Sequence, residues 1–93
     1  MKKIKPLYLA VFHITNADNE YYLKHTIRAK SYDEAMNVAM DYARYFWSYT
    51  QPAKKEGEWA FLKPDETERI KIERIEQIRT KELLDELMIY KRE

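Results

Sequence analysis

The chain has no cysteine and a single glycine, Gly57, among its 93 residues. The first absence excludes disulfides, thiolate metal sites and a thiol nucleophile. A small secreted domain commonly needs such cross-links to hold a thin core together, so the composition points to a cytoplasmic protein. The scarcity of glycine, with only three prolines, is not the composition of a disordered chain. It also leaves no glycine-rich loop to cradle a phosphate and no glycine-flanked nucleophile. No apolar run is long enough to cross a bilayer. The run Leu7 to Ile14 follows basic residues, but His13 interrupts it and no small-residue cleavage site follows. It reads as a strand rather than as a signal peptide. An excess of one charge is missing too: 17 basic side chains meet 16 acidic ones, for a formal net charge of +1. The chain as a whole therefore lacks the electrostatic footprint of a nucleic-acid binder.

Aromatic side chains are abundant: eight tyrosines, three phenylalanines and two tryptophans. The length suits one domain, residues 1–93. A domain of this size buries only somewhat more than about 60% of its unfolded surface. Its core is thin, the aromatic residues must supply much of the volume, and contacts with a partner gain weight.

Leu7 to Thr15 is rich in β-branched and aromatic residues, and Glu20 to Ala29 alternates. Asn16-Ala17-Asp18-Asn19 between them is turn chemistry, because Asn and Asp bond to their own backbone. Together these segments predict a hairpin with Thr15 facing Glu20. That register puts Tyr8, Ala10, Phe12 and Ile14 on one face with Tyr21, Leu23, His25 and Ile27. The other face carries Leu7, Leu9, Val11 and His13 beside Tyr22, Lys24, Thr26 and Arg28. The first strand is then apolar on both faces, as an interior strand must be. Ser31 is a natural N-cap, Glu34 three residues later completes a capping box, and Asp33 suits the positive end of the helix dipole. A helix is predicted from Ser31 to about Tyr49, stopping before Pro52. A polar loop over Gln51 to Glu58 leads to a strand at Trp59–Lys63 and a turn at Pro64-Asp65-Glu66. In Thr67 to Ile78, Ile70 and Ile72 alternate with charged residues while Ile75 and Ile78 break the period. A strand to about Ile75 with a bulge accounts for this, against a helix. Thr80 can cap a final helix with Leu83, Leu84, Leu87 and Met88 on one stripe. The expected architecture is α+β in the order β-β-α-β-β-α: an antiparallel sheet of about four strands, a central amphipathic helix packed on it, and a C-terminal helix.

The central helix is apolar over an unusually wide arc. With Ala35 at zero and about 100° per residue, Val38, Ala39, Tyr42, Phe46 and Tyr49 gather round the zero direction and predict the sheet-facing stripe. Met36, Met40, Ala43 and Trp47 form a second apolar flank, which one sheet does not cover on this reckoning. Either the C-terminal helix or a partner, another protein or a second copy of the chain, covers it. Met and Trp are at home at adaptable interfaces as well as in cores. Met36, Met40 and Trp47 are therefore the first candidates for a partner-binding surface.

Tyr22, Lys24 and Arg28 are the second. With Thr26 they form an aromatic–basic row, extended by Arg69 and Lys71 if the last strand is adjacent. Stacking plus cationic contact is the recipe for binding single strands. Glu20, Glu56, Glu68 and Glu73 interrupt the row, and a solvent-facing edge kept soluble by Lys and Arg has the same composition. His13 and His25 fall on opposite faces and cannot share a metal without further ligands. The carboxylates sit among lysines and arginines, with no pattern demanding a perturbed acid–base pair. No catalytic residue, metal site or cofactor is expected.

The stretch YYLKHTIRAKSYDEAMNVAMDYARYFW, Tyr21 to Trp47, resembles a pattern in small phage and mobile-element proteins. In these an edge strand ends in an Ala-x-Ser segment and an acidic-Glu-Ala helix then crosses a short antiparallel sheet. Some anti-CRISPR proteins are similar in layout and size. The motif AKSYDEA is a strand exit plus a helix cap, so no functional residue carries over. The resemblance implies a small non-enzymatic binding protein, an inhibitor or accessory factor that occludes a larger protein or nucleoprotein. The alternative is a nucleic-acid-binding accessory protein using the Tyr22–Lys24–Arg28 row.

Overall fold

A computed structural model describes residues 6–79. Strand β1, Leu7–Asn16, and strand β2, Glu20–Arg28, pair antiparallel with Thr15 opposite Glu20 and Leu7 opposite Arg28. The expected hairpin register is therefore the observed one. Its turn closes on Asn16, whose Oδ1 accepts hydrogen bonds from the Asp18 and Asn19 backbone N–H groups at 2.9 and 2.8 Å. Strand β5, Glu68–Gln77, pairs with the other side of β1. The described residues thus form one five-stranded sheet in the order β2-β1-β5-β4-β3, with β4 at Ala60–Leu62 and β3 at Lys54–Lys55. Every pairing in it is antiparallel. Four strands were expected; β3 is the addition. It carries no apolar period and is defined only by pairing with Phe61 and Leu62.

The expected bulge lies in β5. Phe12 faces Ile72 and Val11 faces Arg74, so Glu73 is the extra residue. Were the same sequence paired as a regular ladder, Ile75, three residues after Ile72, would point away from Ile70 and Ile72. With the bulge all three join Tyr8, Ala10, Phe12 and Ile14 in one buried layer. On the opposite face Leu9 is 0% and Val11 6% exposed, with Ile78 packed against them. Strand β1 is apolar on both faces for this reason.

Helix α1, Tyr32–Arg44, covers the first layer. The Ser31 hydroxyl accepts the Glu34 backbone N–H at 3.2 Å. The Glu34 carboxylate reaches past the cap and accepts the Lys30 N–H instead of closing a box on Ser31. The helix ends at Arg44, five residues before the expected Tyr49. Beyond it the Ser48 hydroxyl accepts the backbone N–H groups of Thr50 and Gln51 at 3.1 and 3.2 Å, a local turn that competes with helical bonding. The Arg44 carbonyl accepts the Ala53 N–H at 2.8 Å, folding the loop back on the helix end.

The helix is also rotated from its expected phase. Its buried residues are Ala35, Ala39 and Ala43, a stripe centred about 40° from Ala35. Three alanines let the backbone approach the sheet, and the bulky rows on either side then both reach the core. Tyr42 and Phe46 pack from one side, Met36, Met40 and Trp47 from the other. Val38 and Tyr49, expected against the sheet, are instead 43% and 84% exposed. The expected C-terminal helix, with Thr80, Leu83, Leu84, Leu87 and Met88, lies outside the described residues. No helix among the described residues is long and apolar enough to cross a membrane.

Candidate protein-binding surface

The two edges of the sheet are unlike. The β3 edge is two residues long and both are lysines, a short charged edge of the kind that discourages further pairing. The β2 edge is nine residues long and runs without a bulge along its pairing with β1. It contains no proline. No described strand pairs with its outer side. Its side chains are largely exposed, Tyr21 by 43% and Tyr22 by 50%. An edge that long, regular and aromatic is the kind to which another strand adds.

Next to this edge, on the helix side of the sheet, aromatic rings form a shelf. Tyr42 of α1 stacks on Phe12 with ring centres 4.9 Å apart and lies 4.3 Å from the His25 ring of β2. Phe46 follows Tyr42 at 5.8 Å, and Tyr45 and Tyr49 stack on each other at 5.5 Å. Tyr42, Tyr45, Phe46 and Tyr49, with Val38 and Asp41, line an open depression of about 520 Å³. Packing beneath Tyr42 desolvates the His25 imidazole and pushes its pKa below the ordinary 6.5. The ring is therefore neutral at pH 7, although the residue as a whole lies at the exposed edge.

On the other face, Tyr22 stacks on His13 with centres 4.4 Å apart and planes 8° from parallel. The His13 Nε2 lies 2.6 Å from a Glu20 carboxylate oxygen. Lys71 of β5 is the next residue across from His13. Tyr22, His13 and Lys71 therefore make one cross-strand row. Lys24 and Arg28 share this face with Tyr22, as expected, and Lys24 is half-buried. Arg69 does extend the face, opposite Thr15. Its guanidinium makes a two-point contact with Glu56, one branch at 2.8 Å, which holds that carboxyl below the usual range. Lys71 lies 3.6 Å from Glu73 and Lys54 3.2 Å from Glu66. Much of the cationic charge on this face is thus matched by neighbouring carboxylates.

Met36, Met40 and Trp47 are each half-buried against the core, Trp47 lying beyond the end of α1 with its ring edge-on to Phe46. The Trp47 Nε1 is enclosed with no partner among the described residues. His13 and His25 are on opposite faces, as the register requires. Among the described residues no cluster of three or more His, Cys, Asp or Glu side chains is placed to hold a metal ion.

Tyr21, Val38, Tyr45 and Tyr49 were missed as surface residues. Tyr21 alternates like a core residue, and the other three follow a helical apolar period. The signal that bears on them is the strand order, which a single sequence does not state. No protein-family model, curated protein or solved structure matches the chain.

Proposed function

We propose that this chain is a small non-enzymatic protein-binding module that recognises its partner through the β2 edge and the aromatic shelf beside it. The contrast between the nine-residue β2 edge and the two-residue β3 edge carries this reading. A regular edge offers backbone donors and acceptors for strand addition, and the neighbouring tyrosines supply the large, rigid contacts that dominate interfaces. In its narrower form the module is a phage-type inhibitor or accessory factor that occludes a larger protein or nucleoprotein, as the resemblance of Tyr21–Trp47 implies. Tyr22, Lys24 and Arg28 belong to this surface directly, on β2 itself. Met36, Met40 and Trp47 belong to a second, half-buried patch.

Site-specific photo-crosslinking in the expressing cells tests the reading. A photoreactive residue in place of Tyr22 or Tyr49 is expected to capture protein, and one in place of Lys54 on the opposite edge is not. Equal labelling from both edges would remove the basis for the proposal.

A second reading has one observation in its favour, the Tyr22–His13–Lys71 row. Such a row suits a single-stranded nucleic acid, while the carboxylates paired with Arg69, Lys71 and Lys54 oppose it. A salt-dependent gel shift with single-stranded DNA or RNA, lost on replacing Lys71 and Tyr22, is its test.

A further inference from the structure

We infer that the β2 edge pairs with the β2 edge of a second copy of this chain, antiparallel, with Leu23 opposite Leu23 on a two-fold axis. The inference rests on the preceding reading of β2 as the contact surface and names the partner.

The backbone sets the possible registers. The Asn16 N–H donates to the Asn19 carbonyl and the Ala29 N–H to the Pro6 carbonyl. In an antiparallel ladder bonded pairs alternate with unbonded ones, so Tyr21, Leu23, His25 and Ile27 direct their backbone groups at β1. The N–H and C=O groups of Glu20, Tyr22, Lys24, Thr26 and Arg28 point outward. Opposed residues share a face, so a two-fold axis must pass beside one residue.

The side chains then choose among the registers. An axis at Lys24 sets Glu20 against Arg28 at both ends but that lysine against itself at the centre, where like charges directly opposite destabilise, and it sets Leu23 against His25 rather than against an apolar residue. An axis at His25 carries Tyr21 past the end of the second strand and places Leu23 against Ile27, which is already buried. An axis at Tyr22 runs the second strand past the Asn16–Asn19 turn. An axis at Leu23 sets Leu23 against Leu23, Tyr21 against His25, Tyr22 against Lys24 and Glu20 against Thr26. Two rings meet, an aromatic face meets a lysine stem, no like charges are opposed, and the exposed Tyr21 and Tyr22 are covered.

The same axis accounts for the aromatic shelf. Helix α1 lies chiefly over β5, the third strand in from this edge. Strands are about 4.8 Å apart, so the two helices would stand about 24 Å apart across the joined sheet. Each helix with its side chains is about 11 Å wide, which leaves an opening roughly 13 Å across above the two β2 strands, with the exposed Tyr45 and Tyr49 of each copy at its margins. A stable interface buries roughly 1,200 Å² or more, and the shelf lies where area beyond the backbone ladder must be found.

The test uses the full chain. Sedimentation equilibrium at micromolar concentration is expected to give twice the monomer mass. Replacing Thr26, whose N–H faces outward, by proline is expected to return the mass to that of a monomer with an unchanged circular dichroism spectrum. Because the chain has no cysteine, Leu23→Cys introduces a single thiol. Opposed residues of an unbonded pair lie about 4.5 Å apart, within disulfide reach, so mild oxidation is expected to link Leu23→Cys fully. Tyr21→Cys, whose copy lies about four residues or 13 Å away along the strand, should stay unlinked. The double variant Tyr21→Cys/His25→Cys should link, and serves if Leu23→Cys fails to fold. A monomeric wild type, a dimer untouched by Thr26→Pro, or equal linking of Leu23→Cys and Tyr21→Cys overturns the inference. Tyr22 photo-crosslinks to a different protein in any of those cases would leave the protein-binding reading standing; their absence would remove both.

Discussion

The imidazole of His25 and the phenol ring of Tyr42 lie 4.3 Å apart, and through them the edge strand β2 touches helix α1. This contact excludes water from one side of the imidazole and pushes its pKa below 6.5. Tyr42 is the titratable group that faces it from the helix.

A pH dependence follows from that shift. The unfolded chain takes up the His25 proton near pH 6.5, and the folded chain only at lower pH. Stability is therefore complete above 6.5, declines as the pH falls from 6.5 through the folded value, and levels off below it. The melting temperature of the wild type should fall across this window more than that of His25→Phe. Parallel curves for the two proteins would show that the contact does not resist protonation.

The bulge at Glu73 supports a deletion experiment. Removing Glu73 leaves Ile72 opposite Phe12, Arg74 opposite Val11 and Ile75 opposite Ala10, now in a regular ladder with the same residues facing the helix. The protein should still unfold cooperatively. Its Glu73–Lys71 pair is exposed and worth little. Removing Lys71 instead makes Ile70 and Ile72 neighbours on opposite faces. That should cost as much as emptying one isoleucine site, about 2–5 kcal/mol, and urea titration of the two deletions separates the cases.

Trp47 pairs edge-on with Phe46 at 5.3 Å while its enclosed Nε1 has no partner among the described residues. Phenylalanine at this position keeps most of the apolar contact and removes an unsatisfied donor, so Trp47→Phe should change stability by less than about 1 kcal/mol. Trp47→Ala should cost about 3 kcal/mol. Equal losses would mean that the indole N–H is bonded in the folded protein.

Glu66 has φ of 65°, the left-handed region, in the turn between β4 and β5. Residues with a Cβ resist this conformation by roughly 1–2 kcal/mol, and asparagine resists it less. Glu66→Asn should raise the urea midpoint by up to about 1 kcal/mol equivalent, the exposed pair with Lys54 offsetting little of it. Glu66→Val should lower the midpoint.

The parts of the fold that were legible in the sequence are those decided locally. A four-residue turn anchored by Asn16 sets the β1–β2 register, and the misplaced Ile75 announces the bulge. The parts that were hidden are decided by competition or at a distance. Tyr45 to Tyr49 continue a helical apolar period, but the Phe46 N–H tightens onto the Ala43 carbonyl and the Arg44 carbonyl, which a longer helix would offer to the Ser48 N–H, accepts the Ala53 N–H. Lys54 and Lys55 have no pattern of their own and become a strand only because β4 is there. The row of Ala35, Ala39 and Ala43 sets the helix phase by being small, which a count of apolar positions does not register. On the candidate surface, Tyr22, Lys24 and Arg28 were visible because they alternate on one strand. The shelf of Tyr42, Tyr45, Phe46 and Tyr49 depends on which strand ends up outermost, and that is settled by β5 inserting between β1 and β4.

The inequality of the two sheet edges has a consequence for scale. A unit with two reactive ends polymerises, and a unit with one reactive end stops after a single coupling. On the β2 pairing proposed above, and with β3 cut to two lysines, the chain would behave as the second kind. Joining at β2 then also terminates growth, and raising the concentration is expected to populate a defined complex rather than seed a fibre.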